Sequence, residues 1–166
     1  AFDDGSYVSE NPMVRAGITG RGVAWAFTSV GYASNWHPLT WLSHMAVVEL
    51  FGLDAGAHHV ANAALHAATA VLLLLALRAL TGELWAPAAV AALFALHPLH
   101  VESVAWVSER KDVLSGLFAM LTLLAHLRYA RRPGAGRYLA TLAVFALGLM
   151  AKPMLVTLPC VLLLLD

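Results

Sequence analysis

The sequence predicts an all-α membrane protein, a bundle of helices that crosses the bilayer several times. Hydrophobic residues make up 60% of the chain and charged residues 12%, whereas soluble domains have about 45–50% and about 25%. The mean hydropathy is +0.73. The single Cys160 excludes an internal disulfide. A net charge of zero gives no sign of a nucleic-acid-binding surface, so no nucleic-acid partner is expected.

Apolar runs separated by short polar breaks predict about five crossings. A spanning helix needs about 20 residues at a rise of 1.5 Å per residue. Three of the runs have only about 13 residues, so buried or re-entrant helices are the alternative for them. The breaks alternate as a serpentine path requires, which favours crossing. The runs are His58 to Leu80, Leu84 to Leu96, Val113 to Ala130, Tyr138 to Met150 and Pro153 to Leu165.

Two regions follow from this division of the chain. Residues 1–57 are expected to form an extracytoplasmic loop with interfacial helices, and residues 58–166 a transmembrane bundle. The final VLLLLD ends within an apolar run. The bundle is therefore expected to be part of one larger membrane domain, and the chain a piece of a longer protein.

Lysine and arginine positions predict the orientation of the bundle. With five crossings, the loops 81–83 and 131–137 lie on one face, which holds five arginines. By the positive-inside rule this face is cytoplasmic. Residues 1–57, the connector 97–112 and Lys152 then meet on the extracytoplasmic face. The five arginines are Arg78, Arg128, Arg131, Arg132 and Arg137.

The stretch GYASNWHPLTWLSHM has the pattern of an interfacial helix. Tryptophans at its edges suit the headgroup level of a bilayer. A peripheral anchor without any further role carries about equal weight as an interpretation. On a helix, Leu39, Leu42 and Met45 fall on one side and His37, Thr40 and His44 on the other, with Trp36 and Trp41 flanking them.

The stretch FDDGSYV places two carboxylates side by side, at Asp3 and Asp4. Adjacent side chains point in different directions in a strand or a helix, so the pair is not expected to share one proton. One general base beside a carboxylate that binds a metal, water or substrate is the functional interpretation. The alternative is a turn, because Asp-Asp-Gly-Ser is also favourable turn chemistry.

The connector HPLHVESVAWVSERKD concentrates polar groups beside a membrane. Pro98 ends or restarts a helix there, and His97, His100 and Glu102 crowd the outer surface. Two histidines three residues apart can bind a metal on one helical face, but hydrogen bonds or substrate contacts are the favoured interpretation. The chain has no HExxH motif, so a zinc protease of that type is excluded.

Cations at the end of the connector indicate either an anion site or a charge cluster satisfied within itself. Arg110 and Lys111 lie in the expected first turn of the next crossing, where cations oppose the helix dipole. Glu109 and Asp112 can offset them. A helix N-terminus with two cations would also suit a phosphate, and Lys152 lies on the same face.

A polar stripe runs along the first predicted crossing. His59, Asn62, His66 and Thr69 fall roughly on one helical face. Polar groups at membrane depth face the bundle interior and are functional candidates. Hydrogen bonds between helices, without a catalytic role, are the favoured account of this stripe.

Several long motifs in order point to one known family. The segments FDD, WAFTS, NWHPLTWLSHM, HPLHVESVAWVSERKDVLS and KPMLVTLP resemble the membrane half of the transmembrane and tetratricopeptide-repeat protein O-mannosyltransferases, particularly the bacterial members. The resemblance implies a glycosyltransferase of the GT-C fold. Such an enzyme takes mannose or a similar hexose from a polyprenyl-phosphate carrier and transfers it to a hydroxyl acceptor, expected to be a protein Ser or Thr. No repeat pattern is visible in the chain itself.

The resemblance also implies roles for particular residues and a location. Its active site would be extracytoplasmic, in an integral protein of a bacterial inner membrane. No cofactor is certain, and a divalent Mg or Mn ion is possible with unknown ligands. Asp3 and Asp4 would be catalytic, Arg110, Lys111 and Lys152 would bind the donor phosphate, and His97, His100, Glu102 and Asp112 would form the donor pocket.

Two other classes of function remain as alternatives. A transporter or flippase of lipid-linked or anionic solutes would use the same cations, but it needs a polar path through the whole bilayer. A membrane anchor for a repeat-based interaction scaffold would leave the charges of the connector unexplained. Polar clusters mainly on one face favour the enzyme.

Overall fold

The computed structural model describes residues 4–32 and 35–165. Within these ranges all regular structure is helical, which confirms the predicted all-α class. The amino-terminal part comprises a π-helical turn, Gly5–Ser9, and three helices, α1 (Pro12–Arg15), α2 (Gly20–Thr28) and α3 (Pro38–Phe51).

The amino-terminal part has its own aromatic core. Trp41 of α3 is fully buried and packs against the rings of Tyr7, Trp25 and Tyr32 at centroid distances of 4.8, 5.3 and 5.6 Å. Asn11 begins α1 by accepting the backbone N–H of Met13 at 3.0 Å, because the first amides of a helix have no partner within it. This core joins α1, α2 and α3 before the long helices begin.

The two long apolar helices are α4 (Ala55–Thr81) and α7 (Arg110–Arg131). Asp54 caps α4 by accepting the N–H of Ala57, and Gly82, with φ 75°, ends it. Two stretches, Ala55–Thr81 and Val107–Arg131, are long and apolar enough to cross a membrane. Only 22% of the most apolar part of the first is buried, so most of its apolar surface is available to lipid.

Three shorter helices occupy the remaining apolar runs. Helix α5 (Trp85–Leu96) has 12 residues and so measures about 18 Å, less than the roughly 30 Å of a hydrocarbon core. Helix α8 (Ala135–Ala151) has 17 residues. The last run is a 3₁₀ segment, Pro153–Thr157, followed by the six-residue α9 (Leu158–Leu163). Five full crossings therefore stay a prediction.

The last run differs from the continuous helix that its apolar composition suggests. Pro153 opens the 3₁₀ segment and Pro159 stands in the first turn of α9. A proline removes a backbone donor and is tolerated only in the first turn of a helix. Each proline therefore lies at the beginning of a new helical segment, and the last run is not one continuous helix.

Helix α7 is the centre of the bundle. It packs against α4 on one side and α8 on the other, and Leu123, Leu124 and Leu127 are buried with Ala76 of α4. The connector before α7 forms a short helix, α6 (His100–Ala105), and a 3₁₀ turn, Val107–Glu109.

The polar side of α3 faces protein. His37, Thr40 and His44 are all buried, and Thr40 Oγ1 donates to the carbonyl of Ala151 in α8 at 3.1 Å. An interfacial helix would turn this side to water. Here Thr40 and His44 contact α8 and α4, whereas neither ring nitrogen of His37 has a hydrogen-bond partner among the described residues. Leu50 and Phe51 at the end of α3 are exposed.

Candidate functional site

A buried arginine joins three helices at the start of α7. The side chain of Arg110 is fully buried. Its Nε donates to Asn62 Oδ1 at 2.8 Å, and one Nη donates to the carbonyl of His58 at 2.8 Å. The other Nη donates to the carbonyl and hydroxyl of Ser43 at 3.3 and 3.4 Å. We call Arg110, Asn62, His58, Ser43 and His44 the arginine network.

Neutral acceptors hold this guanidinium on every side. Arginine presents five N–H donors in a fixed fork and never accepts, and each of its three nitrogens donates to a protein group. Asn62 is tied down in turn, because its Nδ2 donates to the carbonyls of Val104 and Trp106. The sequence predicts that Arg110 binds a donor phosphate. In this structure its side chain is fully buried and donates to groups of α3 and α4.

Two histidines lie beside the buried arginine. An Nη of Arg110 lies 3.4 Å from Nδ1 of His58, and His44 Nδ1 lies 3.5 Å from the same atom. Since arginine only donates, His58 Nδ1 is placed to accept from it. Burial, and then the charge of Arg110, lower the pKa of His44 well below its usual value. His44 is therefore neutral at physiological pH.

Asp4 lies against the residues that lead into α7. Its Oδ1 accepts the backbone N–H of Ser108 at 3.0 Å, from 104 residues away in the chain. Close by, Lys111 Nζ contacts Glu109 Oε1 at 2.8 Å and lies 5.0 Å from the centroid of the Tyr7 ring. The expected meeting of the acidic stretch with the connector occurs at Asp4. Asp3 lies outside the described residues.

A cleft of about 290 Å³ opens on the other side of the same helix start. Asp112 forms its polar wall and pairs with Lys152, the residue between α8 and the 3₁₀ segment. The side chains of this pair are 30% and 24% exposed, so both charges can reach solvent. The other lining residues include His66, Thr69, Phe94, His100, Ser103 and Leu155. We call this space the cleft.

Three rings from three elements form one side of the cleft. Phe94 of α5 stacks on His66 of α4 at 5.0 Å and approaches His100 of α6 at 4.5 Å. His66 Nε2 contacts the carbonyl of Ala95 at 3.2 Å, which links α4 to α5. Burial, then His66 and His97, lower the pKa of His100. The cleft therefore offers an aromatic surface beside one ion pair.

The predicted pocket residues divide into two pairs. His100 and Asp112 line the cleft. His97 is exposed at the end of α5, where its Nδ1 accepts the N–H of Leu99 at 3.2 Å, and it borders apolar surface formed by Leu93 and Leu96. Glu102 is exposed on α6, away from the cleft lining.

The predicted cations do not converge on one point. Arg110 is buried in its network, Lys111 pairs with Glu109, and Lys152 pairs with Asp112. Each lysine thus has a carboxylate partner, as expected for a charge cluster satisfied within itself. Residues 110 and 112 diverge because positions two apart on a helix do not share a face.

Metal ligation was the alternative for the acidic and histidine residues. Among the residues described, 4–32 and 35–165, no group of three His, Cys, Asp or Glu is placed to hold a metal ion. His97 and His100 lie with ring centroids 6.1 Å apart in an edge-on arrangement. The described side chains therefore do not form a metal-binding cluster.

The polar stripe of α4 serves helix packing, as the sequence favoured. Asn62 and His66 bond to other elements, whereas Thr69 bonds to the carbonyl of Leu65 within α4. His59 is exposed and His58 is buried in its place. The spacing of His58, Asn62 and His66, four residues each, carried this signal. No spacing pattern predicts that Ser43 and His44 join the arginine network, because their contacts depend on how α3 docks against α4 and α7.

Comparison with curated proteins finds relatives over most of the chain. It is 34% identical over 137 residues to Protein O-mannosyl-transferase Tmtc2 of Drosophila melanogaster, a match that covers 78% of this chain and 15% of that protein. It is 32% identical over 149 residues to Protein O-mannosyl-transferase TMTC1 of Mus musculus, covering 85% and 16%. The chain belongs to the TMTC family of protein O-mannosyl-transferases.

The match to the human member of this family is shorter. It covers 107 residues at 32% identity, 64% of this chain and 13% of Protein O-mannosyl-transferase TMTC2 of Homo sapiens. The chain therefore spans about 15% of the length of the curated relatives it matches. No protein-family model and no solved structure matches the chain.

Proposed function

We propose that this chain is part of a protein O-mannosyl-transferase, which moves mannose or a similar hexose from a polyprenyl-phosphate carrier to the hydroxyl of a protein Ser or Thr. The observation that carries the proposal is the similarity to relatives with that name over 78% of the chain. In the reaction, the acceptor oxygen attacks C1 of the sugar, the bond from C1 to the phosphate oxygen breaks, and a carboxylate takes the hydroxyl proton. Polyprenyl phosphate leaves with the electron pair.

The two acidic residues, Asp3 and Asp4, have different roles in this proposal. We assign the proton-accepting role to Asp3. Asp4 supports it, because the carboxylate of Asp4 accepts the N–H of Ser108 and so ties the acidic stretch to the start of α7. A carboxylate that accepts a proton from a substrate hydroxyl must lie within hydrogen-bond reach of it. The contact of Asp4 would anchor the acidic stretch beside the start of α7.

The cleft supports a site for the donor sugar and its phosphate. Sugar hydroxyls would donate to the carboxylate of Asp112, and the rings of His100 and Phe94 would face the sugar. Lys152 would release Asp112 and contact the departing phosphate, whose charge a cation stabilises. Partial exposure of this ion pair makes the exchange of partners inexpensive. Lys111, which is 14% exposed, would be a second cation.

Arg110 has a different role in this proposal. Its nitrogens donate to Asn62, His58 and Ser43, so it would position the start of α7 instead of touching the phosphate. His97 and Glu102 would contact the carrier or the acceptor outside the cleft, since both are exposed.

The proposed site lies on the extracytoplasmic face of a bacterial inner membrane. The arginine-rich turns at the far ends of α4 and α7 support this orientation, because short loops rich in Lys and Arg stay in the cytoplasm. The apolar surface of α4, mostly unburied, supports integration in the bilayer.

The first experiment measures transfer of labelled mannose from polyprenyl-phosphate mannose to a Ser/Thr peptide, by the full-length protein in membranes. We expect Asp3→Asn to lose about 10²–10⁴-fold in rate, the usual contribution of a general base. Lys152→Met is expected to lose about 10²–10³-fold, as for removal of one group that stabilises developing charge. Parallel reactions with EDTA show whether a divalent ion is needed.

Glu83→Gln is the matched control, because Glu83 is exposed in the turn between α4 and α5, far from the cleft. It should transfer mannose at the unchanged rate. Full transfer by Asp3→Asn would remove the catalytic assignment. No transfer by a folded wild-type protein with any polyprenyl-phosphate sugar would remove the enzyme itself and favour a transporter or an anchor.

A further inference from the structure

A second groove lies at the end of the bundle opposite to the cleft. Its volume is about 360 Å³, within the range of about 300–1,000 Å³ that ligand pockets have. Thr122, His126 and Tyr129 of α7 line it, 10 to 17 residues after Asp112 and therefore about 15–25 Å farther along the helix. Phe145 of α8 and Leu162 of α9 form its apolar walls.

The groove changes from apolar to polar along its length. Tyr129 and Tyr138 lie with ring centroids 5.6 Å apart, close to the turn that joins α7 to α8. Tyrosine rings are typical of the boundary between hydrocarbon and headgroups, since one end of the ring is apolar and the other is hydrated. Phe145, Leu162 and Leu163 continue the groove towards the interior of the bundle. Its shape therefore suits a molecule with a polar head and an apolar chain.

Two exposed arginines lie in the turn next to Tyr129 and Tyr138, the tyrosines that line the groove. Arg132 follows Tyr129 by three residues, and Arg137 directly precedes Tyr138. Arg137 Nη1 donates to the carbonyl of Arg132 at 2.9 Å, which brings both residues to the same turn. Neither forms an ion pair with a carboxylate in the part of the chain that the structure describes. Arg131 differs from them, because it donates to the carbonyl of Ala79 and so joins α7 to α4.

Helix electrostatics do not account for this placement. A cation near the end of α7 complements the helix dipole, which explains Arg128 and Arg131. Arg137, however, lies in the first turn of α8, where a cation opposes the dipole. An anion beside Arg132 and Arg137 would remove that conflict. In the described turns at this end of the bundle, the only carboxylate is that of Glu83, against five arginines.

We propose that this groove binds one anionic phospholipid, with its phosphate at Arg132 and Arg137 and an acyl chain between α7, α8 and α9. Basic pockets between membrane helices recognise lipid phosphates in this way. The charge of the turn selects the anionic headgroup, and the apolar walls select a chain, so neither inorganic phosphate nor a neutral lipid fits both parts. The site is separate from the cleft and does not depend on sugar transfer.

The experiment exposes the full-length protein, purified in a mild detergent, to equimolar phosphatidylglycerol and phosphatidylcholine. Lipid that remains bound is identified and counted by native mass spectrometry. We expect one phosphatidylglycerol per protein at low lipid. Replacing both arginines (Arg132→Gln with Arg137→Gln) should weaken its binding roughly 30-fold, the effect of losing two cations beside an anionic headgroup.

The matched control is Arg15→Gln with Arg21→Gln, two exposed arginines of the amino-terminal part. This variant has the same net charge as the test variant and should retain the lipid. A second variant, Leu142→Trp, narrows the groove and leaves both arginines in place. It should lose the bound lipid as well.

Three results would overturn the proposal. Equal retention of phosphatidylglycerol and phosphatidylcholine would show that the arginines do not select the headgroup. Equal losses in the test and control variants would show a general charge effect. A wild-type protein that retains no lipid, while still folded, would show that another segment of the protein fills the groove.

Discussion

The arginine network and the cleft begin at the same turn of α7 and differ in almost every physical respect. Arg110 is fully buried, and neutral oxygens and a ring nitrogen surround its guanidinium. Two residues later, Asp112 lines an open space, and its partner Lys152 is 24% exposed. One face of α7 thus buries the charge of Arg110 between helices. The opposite face presents the charge of Asp112 to the open cleft.

The comparison teaches that the charge of a residue does not reveal its role. A buried guanidinium with every nitrogen engaged cannot change partners without exposing several unpaired groups, which costs about 1–3 kcal/mol each. A partly exposed ion pair contributes only about 0–1 kcal/mol and can be exchanged for a substrate contact. Burial and partner type therefore separate the structural cation from the candidate functional one.

Replacement of Arg110 should have the largest effect on stability. Arg110→Ala leaves Asn62 Oδ1 and the carbonyl of His58 buried without a donor. We expect the free energy of unfolding to fall by about 1–3 kcal/mol for each buried acceptor left without its donor. Thermal unfolding in detergent measures it.

Arg15→Ala is the control for that prediction, since Arg15 is exposed on α1 and should change stability by under about 0.5 kcal/mol. If the two variants are equally stable and only Arg110→Ala loses mannose transfer, then Arg110 contacts the ligand. That result would contradict the structural role assigned to Arg110.

Acid should weaken the amino-terminal part, through histidines that fold in the neutral form. Burial, and then the charge of Lys111, lower the pKa of His37 from 6.5 to about 4. Between these values the unfolded chain binds a proton that the folded chain does not, so stability falls as the pH drops from 6.5 towards 4. The lowered pKa of His44 acts in the same direction.

The loss due to His37 should be about 2 kcal/mol at pH 5, since each pH unit below 6.5 costs about 1.4 kcal/mol, and it is measured as the fall in unfolding temperature from pH 7 to pH 5. His37→Gln should reduce the slope without abolishing it, because His44 remains. His59→Gln, at an exposed position, should leave it unchanged. An unaltered slope in His37→Gln would show that His37 does not contribute.

A smaller effect is expected on the cleft side, from the approach of the 3₁₀ segment to α8. A Cβ on Gly148 would lie 2.7 Å from Leu155 Cδ1 and 3.1 Å from Phe118 Cβ, and Leu155 lines the cleft. Gly148→Ala should therefore destabilise by about 1–3 kcal/mol through overpacking.

Gly136→Ala is the matched control on the same helix, because nothing lies within 4 Å of its Cβ position. It should stabilise by about 0.5–1 kcal/mol, as glycine is a poor helix former. Equal effects of the two substitutions on the unfolding temperature would show that Leu155 and Phe118 shift to accommodate the added methyl group.

Features that depend on residues close together in the chain could be predicted from the sequence better than contacts between distant segments. Four of the five apolar runs predicted helices to within a few residues, because hydrophobic composition acts locally, whereas prolines divide the fifth into a 3₁₀ segment and α9. The four-residue spacing of Asn62 and His66 predicted bonds between helices, which are present. The order of motifs predicted the family, since similarity to relatives depends on sequence alone.

The roles of the charged residues required the tertiary structure. Lys111, Arg110 and Asp112 are neighbours in the chain, and the connector alone suggested one shared anion site. The helical turn sends their side chains in different directions. The docking of α3 supplies partners for Arg110, and the end of α8 brings Lys152 to Asp112, whereas Lys111 pairs locally with Glu109. Helix formation and family are thus determined by local chemistry and by the order of residues. Which charge is buried and which faces a cleft was decided by packing between segments more than 40 residues apart.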